Sequence, residues 1–275
     1  IFGDLDVTVM KGLPSGRKPV TTFVVDAGNA VWMERMWQRA REEIDGGGRV
    51  YIVCPRIDED DHPDELLEES TAPLASVRAT MEMLAGVPSL SGVKAVSVTG
   101  KDSSEEKSAA MEAFSSGQAP ILVATTVIEV GVDVPEATMM IILDAQQFGL
   151  SQLHQLRGRV GRSSKQSICM AVHPSVISDT SAQRLEAFAS STDGFVLAEA
   201  DLALRREGDV LGSAQSGKAS RLRFLSVVRD GAIIEEARES AGELIAADPS
   251  LASYPELAAS LNDASSEELV WMERS

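Results

Sequence analysis

Short apolar, β-rich runs recur along the chain at Val20–Val25, Val50–Cys54, Val93–Val98, Ile121–Ala124, Met139–Leu143 and Ile168–Val172, and helical patterns separate most of them. Alternation of this kind predicts an α/β domain built on a doubly wound, mainly parallel sheet with helices on both faces. Several runs are apolar at successive positions, which suits strands covered on both sides. Met33, Met36, Trp37, Ala40 and Ile44 form one helical stripe, closed by Gly46. Ser103 with Glu106 fits a capping box, Met111 and Phe114 supply an apolar face, and Gly117 ends that helix. After His173-Pro174 the strand signals stop. Helices are expected at Ala182–Ser190, at Phe195–Leu204 before a Gly-rich stretch to Gly217, at Gly231–Ala247, and after Pro255. The expected organisation is an α/β domain over 19–175 and a smaller, mainly helical region over 176–275.

A chain of 275 residues can bury a sizeable core. No apolar run reaches the roughly eighteen residues of a membrane span. The opening, Ile1-Phe2-Gly3-Asp4-Leu5-Asp6, has neither the basic segment of a signal peptide nor an initiator methionine, and reads as a start inside a longer protein. Cys54 and Cys169 lie within apolar runs and are expected to be small buried hydrophobes. They show no metal-ligand spacing with His62, His154 or His173, and a reduced, cytoplasmic setting is expected.

The net charge of −17 argues at face value against nucleic acid, because Lys and Arg dominate phosphate binding. Its distribution keeps that partner open. Acid concentrates in Asp58–Glu69 and Glu235–Glu273, whereas Gln152–Arg229 is basic, so one surface can be basic on an acidic molecule. Asp58-Glu59-Asp60-Asp61 reads as a solvated loop, since His62 stands one position too far for a D-E-x-H box.

Open α/β sheets bind ligands beyond the carboxyl ends of their strands, and two clusters are expected there. The first runs from Ala124 to Pro135: Thr125 can meet a backbone phosphate, Gly131 permits close backbone approach, and Asp133 can accept from a sugar hydroxyl. The second reads Gln155-Leu156-Arg157-Gly158-Arg159-Val160-Gly161-Arg162. Glycines disfavour a helix interior by about 1 kcal/mol each, but they let planar, permanently charged guanidinium groups approach a ligand such as a transferring phosphoryl group.

These segments match the T-x-x-x-x-x-G-x-D and Q-x-x-G-R-x-G-R motifs of superfamily 2 helicases, in the same order. The wording of Ala124–Pro135 and Phe148–Arg159 closely resembles RecG-type helicases and their relative, the transcription-repair coupling factor. So does Asp193-Gly194-Phe195 leading into Asp201–Gly217, similar to the helical hairpin and loop those families share. The tail after Asp230 resembles RecG rather than the coupling factor. Arg206-Glu207 departs from the Gly then Pro or Ala usual after the first arginine there, so the backbone of this loop is expected to differ from the family's.

The resemblance implies a RecA-like domain over 19–175 carrying motifs IV, V and VI, an interdomain linker over 1–18, and a DNA-translocation hairpin within 176–275. It implies arginine fingers at Arg159 and Arg162, nucleotide contacts at Gly131, Asp133 and Gln155, and DNA contact or coupling at Thr125, Arg184, Arg205 and Gln215. ATP and Mg²⁺ are expected to be held mainly by an N-terminal motor domain. Gly12–Pro19 is one residue short of a G-x-x-x-x-G-K-[ST] loop, and nothing reads as an acidic box, so this chain alone is expected to bind no cofactor. The implied partners are branched duplex DNA (forks and Holliday junctions), the N-terminal helicase and wedge domains of the same polypeptide, and, as a further candidate, single-stranded DNA-binding protein. No membrane is implied, and the setting is the bacterial cytoplasm at the nucleoid. The alternative is a non-hydrolysing, RecA-shaped module that binds nucleic acid or protein.

Overall fold

Every apolar run becomes a strand, with bounds within about two residues of those expected. The computed structural model describes residues 18–58, 74–125, 134–211 and 231–260, which fall into two units, 18–211 and 231–260. The first unit runs β1 (Thr21–Asp26), α1 (Ala30–Asp45), β2 (Arg49–Val53), α2 (Val77–Ala85), β3 (Ala95–Val98), α3 (Ser104–Ser116), β4 (Ile121–Ala124), β5 (Ala137–Ile142), α4 (Leu150–Arg157), β6 (Ile168–His173), α5 (Asp179–Ser190) and α6 (Gly194–Leu211). The strands form one sheet in the order β1-β6-β5-β2-β4-β3, and every pairing is parallel.

Parallel strands need crossovers, and the helices that supply them cover both faces. On one face, Tyr51, Leu122, Met140, Ile142 and Cys169 pack with Phe114, Leu150, Leu153, Leu185, Phe188 and Leu197. On the other, Val50, Ile52, Val123, Ile141 and Met170 pack with Met36, Trp37, Ala40, Val77 and Leu84. The central strands β4 and β5 are buried throughout. At the edge, β1 leaves Phe23 41% exposed and Val24 37% exposed, so cover on both sides does not extend to that strand.

Local signals set the helix ends. Ser103 and Glu106 cap α3 reciprocally, at 3.2 and 2.8 Å. Gly117 closes that helix at φ +84°, a conformation that favours glycine. Helix α2 carried no marked pattern in the sequence. Its buried stripe is only Val77, Thr80 and Leu84, and the Thr80 hydroxyl lies 3.3 Å from Cys54 Sγ. Helix α6 runs to Leu211, beyond the Leu204 expected, and carries Gly208 within it. Because α5 and α6 bury Leu185, Phe188 and Leu197 in the same core as the sheet, the packing does not break at the expected boundary of 175.

Burial pushes the Cys54 and Cys169 thiols up to about 12, as befits core side chains. Asp58, the first residue of the expected solvated loop, pairs with Arg78 and with Lys101 (3.0 Å), and Glu59-Asp60-Asp61 lie outside the described residues. The second unit holds α7 (Gly231–Ala247) and a helical turn over 255–260, as expected. Among the described residues, no helix is long and apolar enough to cross a membrane.

Phe114 is fully buried, with its ring centroid 4.6 Å from that of Tyr51. We expect Phe114→Ala to destabilise the first unit by about 3–5 kcal/mol in chemical denaturation. A loss below about 1 kcal/mol would mean that this face of the sheet is not the packed core.

Candidate functional site

Helix α4 positions the arginine cluster. It begins where the Gly149 N–H donates to Gln152 Oε1 at 3.0 Å, and it buries Leu150, Leu153, Leu156 and Arg157. As the crossover from β5 to β6, it returns the chain to the edge where strands begin. Gln166 Nε2 there donates to the Pro19 carbonyl at 2.9 Å and to Thr21 Oγ1 at 3.1 Å. Gly161, at φ +76°, sits so close that a Cβ would lie 2.6 Å from Val20 Cγ2, so any larger residue would push the loop outward. The cluster therefore lies at the amino edge of the sheet, not beyond the carboxyl ends as expected. Parallel connectivity is the reason, since the residues just before a strand must stand at that strand's start.

The three arginines divide. Arg157 is 3% exposed. Its Nη1 donates to the Phe188 carbonyl at 2.7 Å and to Thr22 Oγ1 at 3.2 Å, and its guanidinium lies 4.5 Å from the Phe188 ring centroid. Nη2 is 3.2 Å from His154 Nδ1. A guanidinium can only donate, so His154 Nδ1 accepts and the ring is neutral. Burial, then the Arg157 charge, hold the His154 imidazole below its ordinary range, with Asp193 opposing them. Burial also lowers Arg157 from its usual value. Among the described residues, no carboxylate pairs with that charge. Neutral oxygens, an aromatic face and the last turn of α5 meet it instead.

Arg159 and Arg162 are half-exposed beside exposed Gln155 and Gly158. Arg162 Nε donates to the Gly158 carbonyl at 3.2 Å, which draws its stem across the turn. Among the described residues, the Arg159 side chain has no hydrogen-bond or ion-pair partner. Its backbone is held by a bond from Arg159 N to the Leu156 carbonyl at 3.0 Å. The geometry thus fixes the turn and leaves a guanidinium facing outward.

Thr125 lies just past the carboxyl end of β4, 7% exposed, on the edge opposite the arginine turn. Gly131, Asp133 and Gln215 lie outside the described residues, as does the side chain of Arg205 within α6. Val134, next in sequence to Asp133, is buried and accepts from Ala137 N at the start of β5, on the same edge as the arginine turn. Arg184, on α5, donates from Nη1 to the Gln146 carbonyl at 3.1 Å and to Ser181 Oγ at 3.2 Å, which joins α5 to the turn after β5. Arg159 and Arg162 are the finger arginines expected from the sequence, whereas the clamp of Arg157, His154 and Phe188 was not expected. The signal was present: Leu150, Leu153 and Arg157 stand at i, i+3 and i+7, which places Arg157 on the buried stripe of α4.

Residues 35–164 match the family described as helicase conserved C-terminal domain. Residues 191–267 match ATP-dependent DNA helicase RecG, domain 3, C-terminal. The ATP-dependent DNA helicase RecG of Mycobacterium leprae is 43% identical over 87% of this chain. The chain belongs to the RecG family. RecG of Aquifex aeolicus is 41% identical over 94% of the chain. A solved RecG, described as bound to a three-way DNA junction, superposes with a TM-score of 0.61 at 35% identity, covering 85% of this chain and 28% of that one. This RecG-family chain spans about a third of its relatives' length, 32% for the M. leprae protein and 31% for the A. aeolicus protein.

Two measurements separate the arginines. Arg157→Ala leaves a buried carbonyl, a hydroxyl and an imidazole without their donor, and we expect it to cost about 3 kcal/mol. Arg159→Ala should change stability by less than about 0.5 kcal/mol. Equal losses from the two in urea titrations would refute the division. The depressed pKa of His154 means that the folded state binds fewer protons than the unfolded chain just below the ordinary imidazole range, about 6.5. Its contribution is present above that range and is lost as pH falls from there through the lower folded value, so stability should drop more from pH 7 to 5 in the wild type than in His154→Gln.

Proposed function

We propose that this chain is the C-terminal motor lobe of an ATP-dependent DNA helicase or translocase that remodels stalled forks and Holliday junctions. One observation carries the reading: the part-exposed guanidinium of Arg159, without a hydrogen-bond or ion-pair partner among the described residues, on a turn anchored by buried Arg157. A group held in this way suits an anion presented from outside the domain. Planar guanidinium groups on a glycine-flanked turn fit a polyphosphate, for which they can supply parallel hydrogen bonds and charge. Arg159 and Arg162 would face the terminal phosphate of a nucleotide held on another lobe of the polypeptide. Gln155, exposed one turn earlier on α4, is the adjacent polar contact, and Gly131 and Asp133 complete the nucleotide side.

ATP with Mg²⁺ supplies the phosphoryl group that is hydrolysed. This chain's contribution is charge placed where negative charge builds up, worth roughly three to five orders of magnitude in rate for an arginine finger. Thr125, at the opposite edge, is assigned to the DNA backbone. Arg184 acts through its joint between α5 and the turn after β5, while Arg205 and Gln215 form the coupling region with it. The support from relatives is that they are named ATP-dependent DNA helicase RecG and that one is described on a three-way DNA junction. Branched DNA is the proposed substrate.

In the intact polypeptide, Arg159→Ala or Arg162→Ala should abolish DNA-stimulated ATP hydrolysis while nucleotide affinity changes little, read by steady-state turnover and by equilibrium binding of a fluorescent ATP analogue. Gln215→Ala should keep most of the hydrolysis and lose junction unwinding. The 275-residue chain alone should hydrolyse no ATP above background. Substantial turnover by that chain, or hydrolysis retained by Arg159→Ala, would remove the basis of the proposal.

A further inference from the structure

A parallel sheet is normally covered on both faces, and at the edge strand β1 that cover is incomplete. Over β1 and β6, on the side of α1, Phe23, Val25, Ile168 and Met170 floor an apolar groove of about 310 Å³. Phe23 is 41% exposed, and Trp32, on the groove's α1 wall, is 54% exposed. The same wall carries Arg39. Its terminal nitrogens pair with Glu42 and Glu43, but its Nε is buried and has no hydrogen-bond partner. The groove thus combines an apolar floor and an aromatic rim. An occupant must bring apolar side chains.

We infer that this groove is the seat of the lobe that precedes this chain in the same polypeptide. The inference rests on the two-lobed reading above. Two observations choose that occupant. The relatives are about three times as long as this chain, and its residues 191–267 match the C-terminal part of RecG domain 3, so the additional polypeptide lies mainly ahead of it. The chain also enters the fold at Lys18–Val20 and passes directly into β1, the strand that floors the groove and forms the sheet's edge. The described fold thus begins at this strand, on the edge that also carries the arginine turn, where Gly161 packs against Val20. One surface would then both bury Phe23 and Trp32 and set the distance at which Arg159 meets the other lobe.

The test is photocross-linking in the intact polypeptide, with p-benzoylphenylalanine replacing Trp32, which preserves aromatic bulk. The same replacement at Val31, 76% exposed and not lining the groove, is the control. Position 32 should give at least about ten-fold more cross-linked product than position 31, joined to a peptide upstream of residue 1. A cross-link to a peptide within residues 1–275 or to a second molecule, or equal yields at the two positions, would overturn the assignment. DNA-stimulated hydrolysis measured on the same samples keeps the two ideas apart. Activity with no upstream cross-link defeats the groove alone, whereas hydrolysis that survives Arg159→Ala defeats the motor reading beneath it.

Discussion

The guanidinium of Arg157 is the constraint on which the site depends. A permanently charged group at 3% exposure, with no carboxylate paired to it among the described residues, is costly to bury unless its donors are met. Here they are met by a strand hydroxyl, an α5 carbonyl, an imidazole nitrogen and an aromatic face. Those partners come from β1, α5 and α4, so a single side chain ties the end of α4 to two other elements. The turn that follows inherits that rigidity. A finger arginine is useful only if its position is set before the ligand arrives, and Arg159 stands two residues from this clamped cation.

Parallel connectivity explains how the functions are distributed. Each crossover delivers loops alternately to the two edges of the sheet. Thr125 ends a strand and lies at the carboxyl edge, whereas the arginine turn precedes a strand and lies at the amino edge. A nucleotide role and a DNA role can therefore be served by opposite edges of one sheet, with α4, α5 and α6 packed on the face between them. The close approach at Gly194, where a Cβ would stand 3.0 Å from His154 Nε2, keeps the start of α6 against α4.

Much of this was legible in the sequence because the physics was local. The strands Val50–Cys54 and Ile121–Ala124 announce themselves as unbroken apolar runs, and the Ser103–Glu106 box marks its helix without tertiary information. Helix α2 was not legible: it buries a threonine among its few apolar positions, and its cap, Ser76, follows an acidic stretch that masks the pattern. The site was half legible. Motif spacing located Arg159 and Arg162, but residue type alone cannot separate a buried arginine from an exposed one. Only the i, i+3, i+7 relation with Leu150 and Leu153 marks Arg157 as the inward member. The arginine turn stands at the amino edge because the crossover through α4 returns the chain to where β6 begins, a connection that residue type alone does not report.

The most direct measurement is a structure of the intact polypeptide with a non-hydrolysable ATP analogue and Mg²⁺. The account predicts the Arg159 guanidinium at about 3 Å from an oxygen of the terminal phosphate, with Arg157 still stacked on Phe188. An Arg159 side chain folded back onto its own domain, or resting on the DNA while the terminal phosphate is met by other groups, would contradict it.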